Sequence, residues 1–403
     1  MSETAFFVRP LDVAFFGPPD AQSAGETHYA SSLFPPPPRT FQGLVRSRLL
    51  AAATPPLDLR DRSVGARQER AALVGESDRL PPGWQIEGPL PAVWSGDHLT
   101  PWLPAPLFLR RRALRSPSTG APVRARLMDL VREDYARGGV AGQSSERLQG
   151  ENVIGALGCD DAGPLVAWLD ASNLRWALTG KGRWAPQGSR ELPPMVCREQ
   201  RVGLAVDPTS RRARDRMLYA VDQLRFDGNG GFLGQLHAEL PSGLSAEALT
   251  TGTAALGRWN RPAALENVPT LDPAWLELSS GEHLPSEPRE DARFWLVCIT
   301  PWRSDSPRQP SIQGVSGAAA IDVLGALLGR PVTLGGFSMA EHRTRPNQLY
   351  VPAGSAWLFR VPGVTPARRA EILRALHRSH CLGPREEARM GFGQVLVGIE
   401  ADE

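Results

Sequence analysis

The chain has 403 residues, 41% apolar and 22% charged, enough for two ordinary domains or one large one with a substantial core. Its net charge of +2 gives no long-range field, so any nucleic-acid role must rest on local charge. No apolar run reaches the ~18 residues of a membrane span, and the first residues lack the basic start of a signal peptide, so the expected setting is the cytoplasm.

Cys159, Cys197, Cys298 and Cys381 form no close pair, which argues against a disulfide framework or a CxxC metal knuckle. Among 45 basic residues Lys181 is the only lysine. A GC-rich genome is one source of that bias, yet it still excludes a GxxxxGK phosphate loop and leaves one candidate for Schiff-base chemistry. Arginine offers a planar fork for phosphate and a flat face for stacking on bases.

In chain order, Ala5–Phe16 alternates as a strand, and Gly17-Pro18-Pro19-Asp20 ends it. Four prolines at 35–38 then lead to Arg39-Thr40. With Thr40 as N-cap, the stripe Phe41, Leu44, Val45, Leu49 and Ala52 predicts a helix, with Arg39, Gly43 and Arg46 on its other side. Residues 55–100 read as loop-rich, and Leu103–Leu109 as extended. Two stretches without acids follow, 108–126 with six arginines and 171–190 with Trp176, Lys181, Arg183 and Trp184. The centre of the second, Leu178-Thr179-Gly180-Lys181-Gly182, predicts a hairpin turn or a mobile tip.

Arg201–Val206 reads as a strand. Leu218–Phe226 and Phe232–Leu240 flank Asp227-Gly228-Asn229-Gly230-Gly231, a hairpin signal. A division between halves is expected at Pro241-Ser242-Gly243, giving units at 1–243 and 244–403. In the second unit the predicted elements are a strand at Phe294–Thr300, a helix at Val315–Leu328, strands at Val332–Phe337 and Ser355–Val361, a helix from Thr365-Pro366, and a strand at Phe392–Ile399. The fold class is α+β: each half reads loosely as βαββαβ, two ferredoxin-like units with long insertions.

Each candidate site has a plainer reading beside it. The proline run is either a rigid linker or a device that delivers Arg39 to a helix N-terminus able to bind phosphate. The Trp/Arg stretch at 171–190 suits RNA stacking or a protein partner. The run at 108–126 suits a solvated loop or a polyanion site. Gly391-Phe392-Gly393 is either an ordinary strand start or a turn that lets the backbone approach a sugar-phosphate chain. His377, His380 and Cys381 have helix-end spacing, but no fourth ligand suggests itself, so neither a metal nor a cofactor is expected. His28 is the most credible general acid–base candidate.

Several segments in order, "RPLDVAFFG", "SSLFPPPPRTFQGLVRSRLL", "REQRVGLAVDPTSRRARDRMLYAVDQLRF", "FWLVCITPW", "YVPAGSAWLFRV" and "GFGQVLVG", resemble the third-subunit family of the Cmr complex. That complex is the type III-B CRISPR effector, and the family belongs to the RAMP superfamily. The resemblance implies a pair of RRM-type domains, the first with a projecting hairpin, placed here at about 171–190 with 108–126 as competitor. It implies a non-catalytic subunit that holds the 5′ tag of the guide RNA (crRNA) and contacts the large polymerase/cyclase-type subunit and the backbone RAMP subunit. Carried onto this sequence, the RNA-binding residues are Ser32, Arg39, Thr40, Gly43, Arg46, Arg198, Arg201, Arg211, Arg212, Gly391, Phe392 and Gly393. Trp176, Lys181, Arg183 and Trp184 are added for the hairpin. Leu256-Gly257-Arg258 matches the family's glycine–arginine motif only in part. The alternatives are a metal-independent endoribonuclease that trims guide precursors and a protein-only scaffold.

Overall fold

The computed structural model describes residues 2–17, 29–110, 123–124 and 165–400. Two antiparallel sheets pack face to face, with α-helices on their outer sides and two more helices packed into the core between them. The first half contributes β1 (Ser2–Pro10), β2 (Tyr29–Ser31), α1 (Pro38–Ala51), α2 (Val64–Val74), β3 (Gln85–Ser95), β4 (His98–Pro104) and the short pair β5 (Leu109–Arg110) and β6 (Val123–Arg124). It continues with β7 (Trp168–Asp170), α3 (Ala171–Thr179), β8 (Ser189–Arg190), β9 (Val196–Val206), β10 (Ala213–Phe226), β11 (Gly230–Ala238), β12 (Thr253–Leu256) and β13 (Arg261–Asn267). After α4 (Pro273–Ser280) come β14 (Phe294–Cys298), β15 (Asp322–Leu327), β16 (Val332–Ser338), β17 (Arg343–Tyr350), β18 (Ala356–Arg360), α5 (Pro366–Leu376), α6 (Arg385–Arg389) and β19 (Val395–Ile399).

The large sheet runs β12-β13-β1-β11-β3-β4-β7-β8, and the second runs β15-β18-β14-β19. The set β13, β1, β11 and β3 and the set β19, β14, β18 and β15 share one strand order: fourth, first, third, second in chain order. Their helices are complementary. In the first half α1 fills the first crossover, while the second holds two 3₁₀ turns, at Ala246–Leu249 and Arg258–Asn260, and the β12 strand. In the second half residues 299–321 hold only a 3₁₀ turn, and α5 fills the later crossover. The large sheet continues to Asn267, past the expected division at 241–243.

Period-2 alternation explains the layering. Phe6 and Val8 point to the core under α1, whereas Phe7 points to the core between the sheets. Trp295, Val297, Leu358 and Leu396 meet it there from the second sheet, and Phe294, Leu296, Trp357 and Phe359 pack outward under α5. Strands covered on both faces read as continuous apolar runs, which is why Phe294–Cys298 is apolar throughout.

Several expectations are corrected. Residues 55–100 hold α2, β3 and the start of β4 between their loops. Val315–Leu328 is a 3₁₀ turn and β15, because pairing with β18 overrides a helix-compatible apolar run. The strand from Ala5 ends at Pro10, and Ala14 makes an isolated bridge to Leu224. The Asp227 turn does not close a hairpin: β10 pairs with β9 and β2, while β11 enters the large sheet. Thr40 is not the N-cap of α1. Pro37 is, and its carbonyl accepts the Thr40 N–H at 2.8 Å.

Candidate nucleic-acid interface

The projecting element is the β9–β10 ribbon, with β2 parallel to β10 at its root. Val196 and Leu224 anchor the root in the core under α1. Alternation and the cross-strand pairs Leu204↔Leu218 and Val202↔Ala220 put Val202, Leu204, Val206 and Leu218 on one exposed face beyond it. The carboxylate of Asp207 shapes the tip by accepting the Thr209 and Ser210 N–H groups at 3.0 and 2.8 Å. Exposed Arg211 and Arg212 follow.

At the root the Arg198 guanidinium donates to Ser31 Oγ at 2.7 Å and to the Ser32 carbonyl at 3.1 Å. Ser32 is buried, and its Oγ accepts the Phe16 N–H at 2.9 Å. The Tyr29 hydroxyl donates to Asp222, a bond that pushes the phenol's pKa up. Arg225 and Arg201 both donate to Glu199 and hold its carboxyl down at about 2. Between 196 and 226 there are seven arginines against four carboxylates, so the ribbon is basic even with these pairs formed.

The start of α1 is arranged otherwise. Arg39 reaches Glu387 at 3.2 Å and lies over the Phe392 ring, 5.8 Å from its centroid. Tyr350 donates to the same carboxylate oxygen at 3.1 Å, and Arg303 stands 3.7 Å from it. Arg46 is buried, donates to Gln42 at 3.0 Å and to the Gly75 carbonyl, and has its pKa lowered by desolvation to about 10. Thr40 and Gly43 are half-buried, and a Cβ at Gly43 would meet nothing within 4 Å.

The expected hairpin at 171–190 is instead α3, capped by the Asp170 carboxylate at its start and by left-handed Gly180 at its end. Its apolar side enters the core between the sheets. Trp176 packs edge-on against Trp184 with centroids 5.2 Å apart, and both lie against that core. Asn173 fixes the return loop by exchanging hydrogen bonds with Ala185 at 2.7 and 2.9 Å. The tryptophans are therefore packing residues, while Lys181 and Arg183 are exposed. The competing stretch at 108–126 lies largely outside the described residues; its described part is the β5–β6 pair.

Gly391-Phe392-Gly393 is buried, and its close approaches are to protein rather than to open space. Gly391 has φ +100°, and a Cβ there would stand 2.6 Å from the Gly88 carbonyl oxygen; at Gly393 it would meet the Leu382 carbonyl at 2.1 Å. The glycine loop is a joint between the halves. Beside it Glu87 accepts from His237 at 3.1 Å, from Arg378 at 3.0 Å and from Gln394 at 2.9 Å. Burial opposes ionisation of Glu87, but the His237 hydrogen bond and the surrounding positive charge outweigh it and hold the carboxyl at about 2. Glu387 and Glu87 were invisible to sequence reasoning because their arginine partners lie 348 and 291 positions away.

Sequence segments from β1 to β19, the paired sheets and the basic ribbon converge with a family match. A family model, CRISPR-associated protein (Cas_Cmr3), matches residues 6–400. The chain belongs to this Cas_Cmr3 family. No curated protein matches it. Among solved structures, a chain of the type III-B Cmr-beta complex bound to cognate target RNA and AMPPnP aligns at 12% identity with a TM-score of 0.40, covering 88% of this chain and 86% of that one. The same complex bound to cognate target RNA alone gives the same values. A Cas6 product complex aligns at 18% identity and TM-score 0.25, covering 43% of this chain and 79% of that one.

In this Cas_Cmr3 chain the histidines of the helix end serve packing. His377 donates to the Leu278 carbonyl at 2.8 Å and accepts the Val397 N–H at 3.1 Å, and burial lowers its pKa to about 4. His380 donates to the Phe392 carbonyl at 3.0 Å. Cys381 is buried, and burial raises its thiol to about 11. His28 lies outside the described residues.

Proposed function

We propose that the chain is a non-catalytic, cytoplasmic crRNA-binding subunit of a type III-B effector complex. It holds the 5′ tag and contacts the large polymerase/cyclase-type subunit and the backbone subunit. The observation that carries this reading is the β9–β10 ribbon, with Arg198 and Arg201 at its root and exposed Arg211 and Arg212 at its tip. Guanidinium groups there neutralise phosphates, while splayed bases of a single strand find flat or apolar surfaces. The exposed face of Val202, Leu204, Val206 and Leu218 supports the protein-partner half of the proposal, since lone basic contacts do not require it.

The shared fourth-first-third-second strand order supports reading both halves as ferredoxin-like RAMP units, each retaining one of the usual two helices. That reading puts the division after Asn267.

The test is RNA retention against salt. Single-strand affinity should fall by about 0.7 log units per contacted phosphate for each tenfold rise in salt. Replacing Arg198, Arg201, Arg211 and Arg212 by alanine should flatten that slope. Incubation with repeat RNA in chelator addresses the endoribonuclease alternative: cleavage lost in His28→Ala would replace the present reading.

A further inference from the structure

The turn between β12 and β13 is built against its own residue preferences. Trp259 and Asn260 have φ of +63° and +50°, two consecutive non-glycine residues in the left-handed region. A tight turn that needs these angles is met without strain by Asn-Gly, and a bulky aromatic fits it poorly. The turn is nevertheless pinned. The Arg258 N–H donates to the Phe15 carbonyl at 2.9 Å, and Gly257, at φ +70°, packs so closely that a Cβ would stand 2.8 Å from that same oxygen.

The result is a placed ring. Trp259 stacks on Phe15 with centroids 4.9 Å apart and planes 19° from parallel. Phe15 is wholly buried, so it backs one face of the indole, yet Trp259 keeps 48% of its surface exposed. The Arg258 guanidinium carbon lies over the ring, 6.0 Å from its centroid, bringing a positive charge to the indole. The location matters too. Phe15 shares a small buried cluster with Ala30 and Val221, so the ring rises at the root of the ribbon, next to the strand that carries Ser31 and to the Tyr29–Asp222 pair.

We infer that Trp259 is a stacking platform for one unpaired nucleobase, with Arg258 facing the phosphate beside that base. An aromatic backed by a buried ring, half exposed and accompanied by a cation matches how single-stranded nucleic acid is bound without base-pair readout. Strain kept at an exposed aromatic is the kind that functional sites retain. The inference rests on the RNA-binding reading and adds to it a base site, distinct from the phosphate-facing arginines of the ribbon.

The experiment measures binding of single-stranded RNA oligonucleotides, intact or carrying single abasic positions, to the full chain. It compares wild type, Trp259→Ala, Trp259→Leu, Trp259→Phe and Arg198→Ala, and follows thermal unfolding in parallel. Stacking of one base predicts that Trp259→Ala weakens binding by about 5- to 150-fold. Trp259→Phe should recover most of that loss. Trp259→Leu should keep Phe15 covered and the protein stable yet bind as poorly as the alanine variant. One abasic position should weaken wild type and leave Trp259→Ala unaffected. If Trp259→Leu or Trp259→Ala binds as wild type while Arg198→Ala is impaired, the platform is overturned and the RNA reading stands. If wild type binds no RNA, both fall.

Discussion

Arg378 of the second half donates to Glu87 of the first across 3.0 Å, and through the same nitrogen to Gln235 at 2.7 Å. The Glu87 side chain is only 10% exposed, so its charge depends on Arg378, His237 and Gln394 for compensation. This cluster and the glycine loop beside it fasten the two sheets to each other.

Breaking it from one side should be expensive. Arg378→Ala leaves a buried carboxylate short of its cation and should lower stability by about 3 kcal/mol, read by denaturant unfolding. A double variant, Glu87→Gln with Arg378→Met, should recover part of that loss, because it removes both charges together.

The pH dependence follows from the buried groups. His377 has its pKa depressed from 6.5 to about 4, so its contribution is complete above pH 6.5 and is lost as pH falls through 4. That loss is about 3 kcal/mol, and burial of His283 and His380 acts in the same direction. Glu87, held at about 2, adds a further loss as pH falls from 4.5 toward 2. His237 runs the other way: its pKa is raised by its hydrogen bond to Glu87, so its contribution is present below pH 6.5 and is lost as pH rises through the raised value. Unfolding free energy measured from pH 7 to 4 should fall, and His377→Gln should flatten that limb.

Two glycines should respond in opposite ways. At Gly391 alanine forces a Cβ toward the Gly88 carbonyl and strains a left-handed backbone, so the loss should be about 2 kcal/mol or more. Gly43→Ala meets open space in mid-helix and should stabilise by up to about 1 kcal/mol. Unfolding midpoints of the two variants check this.

Trp176→Ala should behave as a packing variant. The ring lies against Trp184 and the core between the sheets, so the loss should be roughly 2 kcal/mol in stability with RNA affinity unchanged. Binding of single-stranded RNA by the folded variant, relative to wild type, decides the point.

Much of the architecture was readable. The stripe of α1, the strands at 294–298 and 356–360 and the Thr365 cap, whose Oγ accepts the Arg368 N–H at 3.3 Å, all follow from period and capping chemistry. What could not be read were choices made by distant partners. Leu178-Thr179-Gly180 carries the same local signal whether the glycine turns a hairpin or caps a helix, and only the core contacts of Leu174, Ala177 and Leu178 select the helix. Asp227-Gly228-Asn229 signals a turn correctly, but sheet membership of the flanking strands is set by β1, β2, β3 and β9. Among the candidate site residues, Arg198, Arg201, Arg211 and Arg212 share one ribbon. Arg39 and Arg46 are turned to protein by Glu387 and by the Gly75 carbonyl, acceptors with no sequence signature.

The central claim is that this ribbon holds the guide RNA. Its most direct measure is the salt dependence of RNA affinity for the wild-type chain and for the variant with Arg198, Arg201, Arg211 and Arg212 replaced by alanine. The account predicts a steep wild-type slope that drops by about 0.7 for each lost phosphate contact, so by up to nearly three for four arginines. Equal slopes and equal affinities for the two proteins would contradict it.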